Sequence, residues 1–119
     1  MNPKDRKYSF YMEDMLISMD RISEYVGDLD LERFKKNYLV VDAVIRNFEI
    51  IGEAAKHIPE EVRTKYPEIP WKKMYDLRSI ITHEYFGIDY EIIWEIAKSD
   101  LPKNQADLLK VFEKERLAR

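Results

Sequence analysis

Cysteine is absent from this chain, which removes disulfides, thiolate nucleophiles and cysteine-based zinc or iron–sulfur sites together. A reducing compartment is the simplest setting for such a chain. Glycine is nearly as scarce, with three in 119 residues, and the five prolines are scattered with no Ser-rich or Pro-rich linker between them. Too few turn residues remain to join β-strands, so an all-α fold is expected. No apolar run approaches the ~20 residues that span a bilayer, and Met1 to Lys7 lead straight into charged residues. A cytoplasmic chain with no membrane partner is the resulting expectation. An excess of positive charge is lacking too: the net charge is -3, with 36% of residues charged and both signs present. Such a surface does not coat nucleic acid through bulk electrostatics, so any RNA would have to be met by a local basic pocket. At 14.4 kDa the chain can build one core but not two, which predicts a single domain over residues 1–119.

What is present is helical periodicity. From Asp5 to Val26 the series Tyr8, Met12, Met15, Met19, Ile22, Val26 advances by fours and threes, a long apolar seam. Phe10, Tyr11, Leu16 and Ile17 widen it, and Gly27-Asp28 ends it. A short helix over Leu31 to Lys36 precedes a second long one, Tyr38 to His57. One of its faces carries Val41, Val44, Ile45, Phe48, Ile51, Ala55 and Ile58, and another carries Val40, Ala43, Ile50 and Ala54. Two apolar faces call for two packing partners, and the small residues Ala43, Gly52, Ala54 and Ala55 would let a second protomer approach. Pro59-Glu60-Glu61 opens a short helix that Tyr66-Pro67 closes. A helix from Trp71 should run into the segment Arg78 to Tyr85 and stop at Gly87. Asp89 should cap the next helix, and Pro102 should kink or break the chain before a last helix reaching Arg119.

The chemistry-bearing stretch is Arg78-Ser79-Ile80-Ile81-Thr82-His83-Glu84-Tyr85, which contains one of only two histidines. Arginine is a permanently charged phosphate binder and histidine titrates near neutral pH, so the pair is the minimum equipment for phosphoryl chemistry without a metal. No His/Asp/Glu spacing suggests a metal site, and no cofactor is implied. On one ideal helix Arg78 and His83 would lie ~140° apart around the axis and ~7.5 Å along it, too far to serve one phosphate directly. Arginine's reach, a loosened helix near His83, or two copies facing each other across a dimer would resolve this. Glu84 and a nearby helix C-terminus would favour a protonated His83.

The pattern R-x4-H-x-Y, preceded by Ile69-Pro70-Trp71 and followed by Phe86-Gly87, resembles the HEPN ribonuclease domain. Within it the chain is similar to the HepT toxins of HepT/MNT toxin–antitoxin pairs, and the likeness extends to the segment Ala43 to Ala54 and to Asp100-Leu101-Pro102. The resemblance implies an antiparallel, up-and-down helical bundle assembled as a two-fold homodimer. It also implies a metal-independent RNA endonuclease of a type II-like toxin–antitoxin pair, with Arg78 and His83 catalytic in a cleft between protomers. A nucleotidyltransferase antitoxin would neutralise it, in a dimer or a higher assembly, by transferring AMP to Tyr85. Ser79 stands where the family more often has asparagine, and with Glu84 it belongs to the supporting residues.

Asp42, Arg46, Glu49 and Glu53 recur at helical spacing, and with Asn47 they either form a supporting shell for the cleft or a solvated ladder of ion pairs. Without the resemblance Arg78 and His83 read as interface or capping residues, His57 as a helix C-cap, and Trp71 and Trp94 as core anchors. A rival function is a non-catalytic nucleotide- or partner-binding helical module that serves a separate nucleotidyltransferase.

Overall fold

A computed structural model describes residues 7–82 and 89–117, and every regular element among them is helical. α1 spans Tyr8–Val26, and the expected seam is its buried face: Met12, Met15, Met19, Ile22 and Val26 are all at most 1% exposed. It starts at Tyr8 rather than Asp5, and Gly27 closes it at φ 46°, donating its N–H to the Ser23 carbonyl at 3.0 Å. Only glycine takes that conformation without strain. Capping side chains open the next two helices. The Asp30 carboxylate accepts from the Arg33 N–H at 2.9 Å to start α2 (Leu31–Lys36), and the Asn37 side chain accepts from the Val40 N–H at 3.1 Å to start α3 (Tyr38–Lys56).

Long-range contacts set the directions of the helices. Tyr11, near the start of α1, stacks on His57 at the end of α3, so those two helices run antiparallel. The last helix, α8 (Leu101–Leu117), also opposes α1: Lys98 reaches the Gly27 carbonyl, Gln105 reaches Asp20, and Tyr8 reaches Glu115. The core fills the space between, with Phe34, Phe48, Ile51 and Leu108 fully buried. Trp71, with its indole N–H on the Tyr66 carbonyl, and Trp94, with its own on the Leu29 carbonyl, anchor this core as expected.

Two expected elements come out differently. The helix from Trp71 does not run unbroken into the motif: α5 (Trp71–Asp76) ends, Leu77 and Arg78 form a turn, and α6 (Ser79–Thr82) begins anew. In the turn the Leu77 and Arg78 N–H groups bond three residues back, and the Ser79 hydroxyl takes the Asp76 carbonyl at 2.9 Å, drawing it from the helical ladder. The expected stop at Gly87 lies outside the described residues. Pro102, in turn, does not break the chain. α7 (Tyr90–Glu95), capped as expected by Asp89, passes through a π-helical turn at Ile96–Asp100 directly into α8, with Pro102 in its first turn. The Leu101 N–H donates five residues back to the Ile96 carbonyl, and this wider turn accommodates a ring that would clash in regular α-helix.

Candidate active site

The site begins with a missing side chain. Gly52 lies in the C-terminal half of α3, where a Cβ would fall 2.8 Å from the Arg78 Cβ, 2.9 Å from the Tyr75 carbonyl oxygen and 3.0 Å from the Arg78 nitrogen. No other residue fits there, so the close approach expected at Gly52 is made within the chain, by the turn that carries Arg78. Gly52→Ala is therefore expected to push that turn off α3, costing about 1–3 kcal/mol of stability and roughly tenfold or more in RNA cleavage, because small displacements of a charge-stabilising group are expensive. Thermal unfolding alongside kcat/KM would measure both.

From this turn the Arg78 guanidinium reaches Glu53, with Nη1 donating to Oε1 at 3.0 Å, and lies over the Tyr75 ring 4.6 Å from its centroid. Glu53 holds the fork from one side and the aromatic face holds it flat. Its side chain is 35% exposed, and it makes no further hydrogen bond to a described residue, so most of its donors remain free to meet an anion. Glu53 thus meets Arg78 across 25 residues of chain.

Beside Glu53 opens a cleft of about 300 Å³ between α1 and α3. Arg46 and Glu49 line it, with Ile50 and Ala54 as its apolar wall. Asp14 and the stacked pair Tyr11 and His57, 4.5 Å apart and 19° from parallel, complete it. The expected ladder along α3 is not formed: no ion pair links Asp42, Arg46, Glu49 and Glu53 among the described residues, because Glu53 turns to Arg78 and Arg46 to the cleft. His57 is the C-cap of α3 as expected, its backbone N–H returning to Ala54 and Ala55, but its ring belongs to the cleft.

Asn47 parts from its neighbour Arg46. It is 5% exposed, its amide nitrogen donates to the Ala43 carbonyl at 2.8 Å, and its Oδ1 has no partner among the described residues. Ser79 is committed to the turn. His83, Glu84 and Tyr85 lie outside the described residues. Among the described residues no three His, Asp or Glu side chains stand close enough to hold a metal ion, and no helix is long and apolar enough to cross a membrane.

Residues 15–111, a span that contains Arg46, Gly52, Glu53 and the whole segment Arg78 to Tyr85, match the model of a family described as ribonuclease HepT-like. The chain belongs to the HepT-like ribonuclease family. A protein named "Putative RNase" from Methanocaldococcus jannaschii is 45% identical over 103 residues, which are 87% of this chain and 93% of that protein. Another of that name from Caldanaerobacter subterraneus is 36% identical, over 89% of this chain and 95% of its own length. A "Probable ribonuclease HepT" from Thermococcus cleftensis is 38% identical, over 82% and 88% respectively. No solved structure matches the chain.

Membership in the HepT-like family makes this chain a ribonuclease, and RNA its substrate class. The net charge of -3 leaves no general excess of positive charge to hold RNA, and Arg78, 35% exposed and paired with Glu53, is a guanidinium placed to meet a phosphate locally. Reasoning from sequence missed Tyr75, whose position three residues before Arg78 was the available signal. It also missed Tyr11 as a partner for His57. No local signal could have found that pair, which meets only because α1 and α3 are antiparallel.

Proposed function

We propose that this chain, a single domain over residues 1–119, is the cytoplasmic toxin of a type II-like toxin–antitoxin pair: a homodimeric, metal-independent RNA endonuclease that needs no cofactor. The observation that carries the reading is Arg78, half-exposed and held by Glu53 and Tyr75 with donors free, five residues before His83 in the sequence. In the proposed reaction His83 takes the proton of the ribose 2'-hydroxyl, and the oxygen attacks the adjacent phosphorus. The bond to the 5'-oxygen breaks, that oxygen takes a proton from a His83 imidazolium as it leaves, and a 2',3'-cyclic phosphate remains. Arg78 stabilises the charge that builds on the equatorial oxygens. Arg78 sits in the turn between α5 and α6, and a second protomer across a two-fold axis would supply a facing copy of the pair. Neutralisation follows from an MNT-type nucleotidyltransferase antitoxin moving AMP from ATP to the Tyr85 hydroxyl, with release of pyrophosphate. The added anion, two residues past His83, would occupy Arg78 and exclude RNA.

The test is cleavage of a defined single-stranded RNA in the presence of a chelator, by the wild-type chain and by His83→Ala prepared identically. Cleavage by the wild type alone, leaving cyclic phosphate ends and sparing DNA of the same sequence, is expected. Equal cutting by both would remove His83 from the chemistry. Nucleotide binding that depends on Arg78 with no cleavage by either would instead make the domain the binding module of a separate nucleotidyltransferase.

A further inference from the structure

We propose that the cleft between α1 and α3 is a base-reading subsite for guanine next to the phosphate held by Arg78, an inference that rests on the ribonuclease reading. The two features share a wall. Glu53 lines the cleft while its Oε1 takes Arg78 at 3.0 Å, so a phosphate at the guanidinium leaves its own nucleoside within reach of the cleft.

The lining favours a base over a second phosphate. Glu53 is turned to Arg78, and along the same wall the Glu49 carboxylate stands one turn from the Arg46 guanidinium, so an anion drawn to Arg46 would also meet a carboxylate. A flat apolar body with hydrogen-bonding edges fits instead. Tyr11 is 8% exposed and lies behind the His57 imidazole, only 19° from parallel, while His57 itself is exposed. A solvent-facing ring backed in this way is a stacking platform, and Ile50 and Ala54 continue its apolar surface. At about 300 Å³ the cleft is at the lower bound for small-molecule sites, room for one heterocycle and not for a strand.

The polar groups choose among the bases. Glu49 and Arg46 sit one turn apart on α3, both line the cleft, and neither has an ion-pair partner among the described residues. A carboxylate matches two adjacent donors, and an arginine fork matches two adjacent acceptors. Guanine alone carries both sets, N1–H with the N2 amino group and O6 with N7. Adenine and cytosine offer one amino group, and uracil one N–H. Tyr11 and Asp14 precede the span matched by the family model, residues 15–111.

The experiment uses the full chain and four single-stranded RNA oligonucleotides that differ only in the base beside the scissile phosphate, cut by wild type, Glu49→Gln and His57→Ala. At least tenfold faster cleavage at guanine is expected, with the ratio falling to within twofold in Glu49→Gln and narrowing in His57→Ala. Base-indifferent cleavage, or a guanine preference that survives Glu49→Gln, would overturn the subsite and leave the ribonuclease reading standing. A parallel titration with GMP and AMP covers the case in which no oligonucleotide is cut, which would count against the ribonuclease reading alone. At least tenfold tighter binding of GMP, lost in Glu49→Gln, would still support the subsite, and equal affinities would refute it.

Discussion

Replacing Arg78 with alanine is expected to lower kcat/KM for RNA by about a hundred- to a thousandfold, the cost of removing one preorganised donor aimed at developing charge. Stability should change by less than about 1 kcal/mol, because the ion pair it makes with Glu53 joins side chains 35% and 57% exposed, where water screens the attraction. That separation of activity from stability is the diagnostic. An arginine that merely completed an interface would show the reverse, a lowered Tm or a dissociated dimer with residual cutting in proportion to folded protein. Arg78→Lys sharpens the test. Lysine keeps the charge but has neither the planar fork that Glu53 holds nor the flat face that lies on Tyr75, so it should recover only a small part of the loss. Single-turnover cleavage beside thermal unfolding and sedimentation distinguishes these outcomes.

The largest effect on stability is expected at Glu115, far from the site. This carboxylate is 4% exposed and accepts from the Tyr8 hydroxyl, from the Tyr66 hydroxyl at 2.6 Å and from the Lys65 ammonium at 3.1 Å. It thereby ties the start of α1 and the end of α4 (Glu60–Lys65) to the end of α8. A buried charge is costly without partners, and here three donors offset that cost. The hydrogen bond from Tyr66 is the largest influence on Glu115, followed by that from Tyr8, and together they lower its pKa from 4.5 to about 2. The hydrogen bonds that Tyr66 and Lys65 each donate to Glu115 in turn raise their own pKa values.

Because the folded-state value lies below the ordinary one, the ionised form is what the fold stabilises. Its contribution is complete above about pH 5, falls as pH drops through 4.5, and is gone below about pH 2. The difference corresponds to roughly 3 kcal/mol. Glu115→Gln should therefore lower Tm by on the order of 10 °C at pH 7 and flatten the loss of stability between pH 5 and pH 2 that the wild type shows. Urea melts across that range would check it. A variant as stable as wild type, with an unchanged acid limb, would mean that the carboxylate is not what holds α8 in place.

Helix existence and sidedness are legible in the residues themselves. The steps from Met12 to Val26 name the face of α1 that is buried, because a 3.6-residue repeat and the aversion of apolar groups to water act locally and need no knowledge of the fold. Caps are legible for the same reason: Asp89 can satisfy the orphan N–H of Ile92 only from within its own turn. The motif, too, reads as chemistry from its residue types alone, since arginine and histidine carry their charge and their proton wherever they sit. Tertiary structure decided everything that depends on separate segments meeting. Gly52 has the look of a contact point for another protomer, and the fold spends it on the turn that breaks the helix at Arg78. Glu53 has the spacing of one rung of a ladder along α3, and the fold turns it across to the arginine 25 residues later. Glu115 lies among surface-type charges in a charged helix, and only the antiparallel closure of α8 on α1 buries it between two tyrosines. Local preferences are energies of a few tenths to one kcal/mol, set by neighbours along the chain. A buried carboxylate, a cleft and a glycine notch exist only once distant surfaces have excluded water between them, and no window of sequence contains that information.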